Sequence, residues 1–300
     1  MQDNALTIDV EDYFQVLAMA PYVARSEWEG AYPHRVEGNI DKVLALLEEY
    51  DVRATFFVLG WVAERYPTAI RRVAEQGHEL ANHGYGHERV TAIGPRLFRE
   101  DVSRAKGLLE DIAAQPVIGY RAPAFSIGPH TPWAFEILQE TGHSYSSSVY
   151  PIHHDHYGAP GAPRFAHRTE WSQGLLEVPP ATFRLGGRNW PVAGGGYFRL
   201  LPYFLSRLAL NRINRGDCRP AVFYIHPWEV DPAQPRIPGI NLKTRFRHYV
   251  NLHRTTPRLR RLLSEFSWGR MDEVFAGEIA AGQTLSTDQQ IAAAAMVQAS

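Results

Sequence analysis

Gly77-His78-Glu79-Leu80-Ala81-Asn82-His83-Gly84-Tyr85-Gly86-His87 sets the terms for the whole chain. His78 to Asn82 reads as a short strand, and two histidines four apart, His83 and His87, follow it. That spacing lets both imidazoles reach one ion, and neutral imidazole is a common zinc ligand. Gly84 and Gly86 disfavour a helix interior, which places the pair on a loop at a strand end. A zinc site needs a third protein ligand and an open position. Asp9, Glu11 and Asp12, at the end of the first expected strand (Ala5 to Val10), are the candidates.

Working outward, strands and helices alternate. Arg53 to Gly60 reads as a buried strand, Val117 to Tyr120 as another, and Tyr145 to Val149, Leu175 to Val178 and Ala221 to Ile225 as three more. Residues 38–50 carry Ile40, Val43, Leu44 and Leu47 on one helical face. Pro67 opens a helix that Gly77 closes. Further helices are expected near 95–114, 132–141, 199–213 and 257–266, with a final strand around 267–274. This alternation argues for an α/β fold with a parallel sheet. A closed or nearly closed barrel would gather Asp9, Gly60, His83, Arg121, Tyr145 and His226 on one rim; a doubly wound open sheet is the alternative.

The 300 residues suit one large α/β domain or two small ones. A net charge of −1 implies no bulk attraction to nucleic acid or membrane. Cys218 is the single cysteine, so no internal disulfide forms, which fits a reducing compartment. No secretory signal and no long apolar run are visible, so a cytoplasmic protein without a transmembrane segment is expected. Gly194-Gly195-Gly196 lacks the spacing of a nucleotide-binding loop and reads as a flexible turn. Histidines 153, 154 and 156 lie in a Pro/Gly-rich loop over 150–172, where substrate contact or plain surface outweighs metal binding. Residues 236–261 hold eight Lys/Arg and no Asp/Glu: a solvated face, or a contact for an anionic substrate such as a phosphate-linked glycan.

A metal held by two histidines and a carboxylate lowers the pKa of water and polarises a carbonyl. A second carboxylate can act as general base, a histidine opposite can protonate the leaving group, and an arginine can orient the base. The chain has a candidate for each role at an expected strand end, and together they favour metal-assisted hydrolysis of an amide or ester.

Those motifs resemble the NodB-homology polysaccharide deacetylases, carbohydrate esterase family four. The resemblance runs over Thr7-Ile8-Asp9-Val10-Glu11-Asp12, Ala54-Thr55-Phe56-Phe57-Val58-Leu59-Gly60, the histidine pair, Arg121-Ala122-Pro123 and the late strand ending in His226. It implies a distorted (β/α) barrel of about seven parallel strands and a single domain over 1–277. A basic extension would start near 232, and 278–300 would form a disordered tail. It implies Asp9 as general base, His226 as general acid, and Arg121 paired with Asp9. Glu11 or Asp12 would join His83 and His87 on a divalent metal, most simply zinc. Glu11 is preferred because alternate strand residues share a face with Asp9. Tyr13, Tyr197 and Trp228 are the candidate sugar contacts.

The chain departs from the family pattern in three places. Asp9-Val10-Glu11-Asp12 replaces an adjacent Asp-Asp, Gly84 replaces a small hydroxylated residue, and Ser146-Ser147-Ser148 replaces an Asp-containing motif expected to support the acid histidine. Asp-Val-Glu-Asp-Tyr-Phe and His-Pro-Trp-Glu-Val-Asp-Pro also resemble a bacterial subgroup associated with exopolysaccharide and exosortase systems. That implies deacetylation of an N-acetylated glycan or its lipid-linked precursor. The competing readings are a metal-free, allantoinase-like cyclic-amide hydrolase and a catalytically silent glycan-binding protein.

Overall fold

The computed structural model describes residues 3–155, 157–169 and 171–282. Its strands are β1 (Asn4–Val10), β2 (Thr55–Val58), β3 (Glu79–Asn82), β4 (Gly119–Tyr120), β5 (Tyr145–Ser146), β6 (His167–Thr169), β7 (Ser172–Glu177), β8 (Thr182–Leu185), β9 (Arg188–Pro191), β10 (Val222–Ile225) and β11 (Trp268–Gly269). The main sheet runs β10-β1-β2-β3-β4-β5-β7-β6, with β11 paired to β1. The first seven of that order are mutually parallel, and β6 is antiparallel to β7. The sheet curls into a distorted half-barrel. Ala181, just beyond β7, donates its N–H to Val222 O of β10 at 2.9 Å, so the two ends of the order nearly meet. Pro179 and Pro180 stand immediately before that bond and have no N–H to extend it into a ladder.

Alternation explains the layering. Leu6, Ile8, Val10, Phe56, Val58 and Leu80 point outward and pack with the apolar faces of the surrounding helices, including Val36–Glu49 and Pro67–Glu75. Ala5, Phe57, Ala81, Tyr145 and Val222 point inward, and Met271, Phe275 and Ile279 close the lower end. Gly119 makes room for this interior: a Cβ there would lie 2.2 Å from the Tyr145 ring. Because the strands are parallel, Glu11, His83, Arg121, Ser147 and His226 all leave the barrel at its upper rim.

Several boundaries differ from the expectations. The strand expected over 145–149 pairs only at Tyr145–Ser146, and residues 147–149 turn to serve the rim instead. The helix expected from 95 begins at Val90, with a kink at Gly94 (φ 71) before Pro95. Gly194-Gly195-Gly196 opens a short helix, Gly195–Leu200, and Pro202 separates it from Tyr203–Asn211. The strand expected over 267–274 is two residues long and passes into a helix at Met271–Val274. The hairpin β8–β9 and the helix Leu242–Tyr249 were not anticipated. Of the tail expected over 278–300, residues 278–282 are helical and Ile279 is buried; 283–300 lie outside the described residues. No described helix is long and apolar enough to cross a membrane.

Glu79 sits at the lower end of the barrel. Thr55 Oγ1 (2.5 Å) and Tyr145 Oη (2.8 Å) donate to its carboxylate. Burial, and then the charge of Asp272, push its carboxyl up to about 8. The folded protein therefore holds this proton more tightly than the unfolded chain, where the group titrates near 4.5. Its contribution to stability is full below that value, falls as pH rises, and is gone once pH passes about 8. We expect Glu79→Gln to flatten this fall when urea midpoints are measured across the same range. An unchanged slope would remove Glu79 as its source.

Candidate active site

Arg121 leaves β4 into the barrel mouth and is completely buried. Its Nη1 donates to Asp9 Oδ1 (2.6 Å) and Thr7 Oγ1 (2.8 Å). Nη2 donates to Ser147 Oγ (2.9 Å) and Nε to Ser147 O (3.2 Å), while the guanidinium lies 4.1 Å from the Phe57 ring centroid. Ser148 Oγ accepts the Ala122 N–H at 2.9 Å. The serine run thus holds Arg121 and its neighbour.

Glu11, His83 and His87 come together on the adjoining rim, with donor atoms all within 4.8 Å of one another. The chain turns sharply after β1 (Glu11 N to Asp9 O, 3.1 Å), and this turn delivers Glu11. His83 Nδ1 donates to Arg121 O at 2.8 Å, which leaves Nε2 as its free donor atom. His87 adopts a left-handed φ of 56, an uncommon conformation for a residue with a side chain. Its Nε2 stands 2.9 Å from Glu11 Oε2, yet that buried oxygen completes no hydrogen bond. Two imidazoles and an orphaned carboxylate oxygen facing one point form a donor set that fits a zinc-type ion. Burial, with His87 beside it, pulls His83 down to about 3, so it stays neutral as a ligand must be. Burial acts to raise Glu11, but His87, His226 and His83 outweigh it and lower its pKa overall.

The loop carrying the histidines is held by a residue that sequence reasoning missed. Asp101 accepts the N–H groups of Tyr85 (2.9 Å) and Gly86 (3.3 Å). A Cβ at Gly84, where φ is +74, would lie 2.6 Å from Asp101 Oδ2. Glycine there admits the carboxylate that organises the loop, in place of a hydroxyl.

Across the mouth, His226 Nε2 lies 3.3 Å from Glu11 Oε1, and Nδ1 lies 3.4 Å from Glu229 Oε1. Glu229 in turn meets Arg199 Nη2 at 3.5 Å. Burial opposes protonation of His226, but the Glu229 hydrogen bond and the charges of Glu11, Glu229 and Asp9 outweigh it and raise the ring to about 9. A cation at the triad would offset part of that effect. Glu229 was also missed, although its spacing three residues beyond His226 was a usable signal. So was the glycine run, because a Cβ at Gly195 would fall 1.5 Å from Glu229 Oε2. Trp228 stacks between His226 (5.4 Å) and His248 (4.2 Å).

These groups line one cavity of about 350 Å³ with Tyr197, Tyr157, His154 and Phe246. Two expected site residues lie elsewhere. Asp12 is no metal ligand in this arrangement: its Oδ2 accepts the N–H groups of Arg35 (2.7 Å) and Val36 (3.0 Å), and its Oδ1 that of Tyr13 (2.9 Å). It is spent on the start of the helix Val36–Glu49. Tyr13 is fully buried with its hydroxyl on Pro33 O, away from the cavity, so it contacts no sugar there. Trp228 lines the cavity but is 96% buried by its neighbours, whereas Tyr197 is more open. His153 lines a separate hollow beside β8–β9, and His156 lies outside the described residues.

Residues 30–146 match the profile of the polysaccharide deacetylase family, and 147–276 match that of a domain of unknown function (DUF3473). The first matched segment supplies His83, His87 and Arg121; His226 and Glu229 come from the second, and Asp9 and Glu11 precede both. A peptidoglycan-N-acetylglucosamine deacetylase of Bacillus cereus is 34% identical over 89 residues, covering 30% of this chain and 30% of its own. A chitooligosaccharide deacetylase of Sinorhizobium fredii is 34% identical over 113 residues, 36% of this chain and 48% of its own. The chain thus spans between 30% and 48% of the length of these relatives. A crystal structure of a candidate polysaccharide deacetylase from Mycobacterium smegmatis superposes with a TM-score of 0.62 at 22% identity, covering 94% of this chain and 91% of that one. At that identity the likeness speaks for the fold.

Asp12→Ala removes acceptors from a helix start, and we expect it to lower unfolding stability by about 1–2 kcal/mol. An unchanged denaturation midpoint would contradict the capping role.

Proposed function

We propose that the protein is a metal-dependent hydrolase that removes N-acetyl groups from an amino-sugar glycan or its lipid-linked precursor. We place it in exopolysaccharide biosynthesis, acting in the cytoplasm. The observation that carries this reading is the meeting, around one cavity, of the Glu11–His83–His87 donor set with Asp9 on one side and His226 on the other. The two deacetylase relatives support the choice of an acetamido group as the bond attacked.

A divalent ion, zinc for preference, held by Glu11, His83 and His87 would supply Lewis acidity toward water and the amide carbonyl. The chain's own groups do the rest. Asp9 has one carboxylate oxygen committed to Arg121 and presents the other to the cavity, where it takes a proton from water. Arg121, fixed by Thr7 and Ser147, keeps that carboxylate from rotating. Glu229 is an acceptor only, so protonated His226 donates Nδ1–H to it and offers Nε2–H to the departing amine nitrogen. Tyr197 and Tyr157 give the sugar ring apolar walls. The Glu11 carboxylate set between two imidazoles has no use in a metal-free cyclic-amide hydrolase, and a purely glycan-binding protein has no use for a proton donor opposite a base.

The test is acetate release from N-acetylated chitooligosaccharides by zinc-loaded protein. We expect turnover, and a loss of about 10²-fold or more in kcat for Asp9→Asn with KM little changed. No acetate from any N-acetylated glycan, with zinc bound, would overturn the proposal.

A further inference from the structure

Among the described residues, nine large apolar side chains are exposed, and six of them fall in two short segments, 200–208 and 242–246. Leu242 (81% exposed) and Phe246 (57%) lie one turn apart on the helix Leu242–Tyr249. Phe204 (61%) and Leu208 (57%) lie one turn apart on Tyr203–Asn211. That spacing puts each pair on one helical face. The two segments come together at their Leu200 and Phe246 ends. Arg199 Nη1 donates to His248 O (2.9 Å) and Val250 O (2.8 Å), and Leu200 and Phe246 line the mouth of the same catalytic cavity.

Both segments are basic. Residues 192–216 contain Arg199, Arg207, Arg212 and Arg215 and no acid, and 236–261 contain none either. The eight Lys/Arg of 236–261 do not form a single face, however. Arg258 is spent on the carbonyls of Arg199 and Leu201, Arg260 on Glu49, and Arg261 on Glu265. Lys243 and Arg247 share Asp155, which leaves their cluster positive. Arg245 and Arg207 are exposed and make no ion pair among the described residues.

We propose that this surface docks the protein on an anionic lipid bilayer and holds the cavity mouth against it. Leucine and phenylalanine exposed between arginines, with no acid on either element, are the composition of a helix lying in a headgroup layer. Apolar side chains enter the acyl boundary and the cations meet the anionic headgroups. The contact is peripheral, since no described helix can span. It deepens, and rests on, the reading that the acetylated glycan is lipid-linked, because a substrate carried on a lipid is then presented at the cavity mouth.

The test is flotation of the full chain with phosphatidylcholine vesicles containing about 30% phosphatidylglycerol, and with phosphatidylcholine alone. We expect binding to the anionic vesicles, weakened about tenfold or more on neutral ones and by high salt. Leu242→Ser/Phe246→Ser and Arg207→Glu/Arg245→Glu should each lower the partition about tenfold, with thermal midpoints unchanged. Absence of flotation on anionic vesicles, or undiminished flotation in both double variants, would overturn the proposal. So would a stable dimer that the serine variant dissociates and that never floats, which would give the face to a second copy. Flotation without acetate release would leave the docking surface standing and remove the deacetylase reading; the reverse would remove the surface alone.

Discussion

Arg121 is the residue on which the site hangs. Its guanidinium is entirely buried in the mouth of the barrel against Asp9, Thr7 and Ser147, and its carbonyl oxygen fixes the His83 ring. One residue therefore orients both the carboxylate that faces water and a histidine of the donor set. A buried ion pair is tolerable only when each partner's hydrogen bonds are met, and removing one partner costs roughly 3–5 kcal/mol. That constraint explains the sequence around it: a threonine two residues before Asp9, a serine run after β5, and a strand that ends at the arginine.

The rim that carries the candidate site is assembled from parts that the family profiles treat separately. β2 to β5 lie in the deacetylase segment, while β7 and β10 belong to the following one, yet all are strands of one curled sheet. The second segment brings His226, and with it a support of its own in Glu229 and Arg199. Gly195 permits that support by leaving the space the Glu229 carboxylate fills. The glycine run is thus a close-approach feature, and the serine run serves Arg121.

Much of this was legible because alternation and strand ends are strong signals. The parallel sheet followed from the alternation of elements; Glu11 was preferred over Asp12 on the two-residue period of a strand, but β1 ends at Val10 and a sharp turn brings Glu11 to the histidines. What failed was decided by contacts that sequence separation hides. Asp12 meets the start of a helix more than twenty residues later, and Tyr13 is drawn into the same packing. Asp101 reaches back to the histidine loop from the helix that follows it, Val90–Ala113. The β8–β9 hairpin had a local sign, Gly186-Gly187 with both φ values positive (60 and 76), between apolar and polar residues in alternation. The run of positive charge over 236–261 looked like one face, but its arginines turn to different carbonyls and carboxylates.

The central claim is that Glu11, His83 and His87 hold a divalent ion, and metal content measures it directly. The protein purified without chelator or added metal should carry about one zinc or similar ion per chain, as a three-donor site implies. The His83→Ala/His87→Ala variant, folded to the same extent, should carry none. A wild-type chain that stays metal-free after zinc is offered, or a double variant that keeps its metal, would contradict the account.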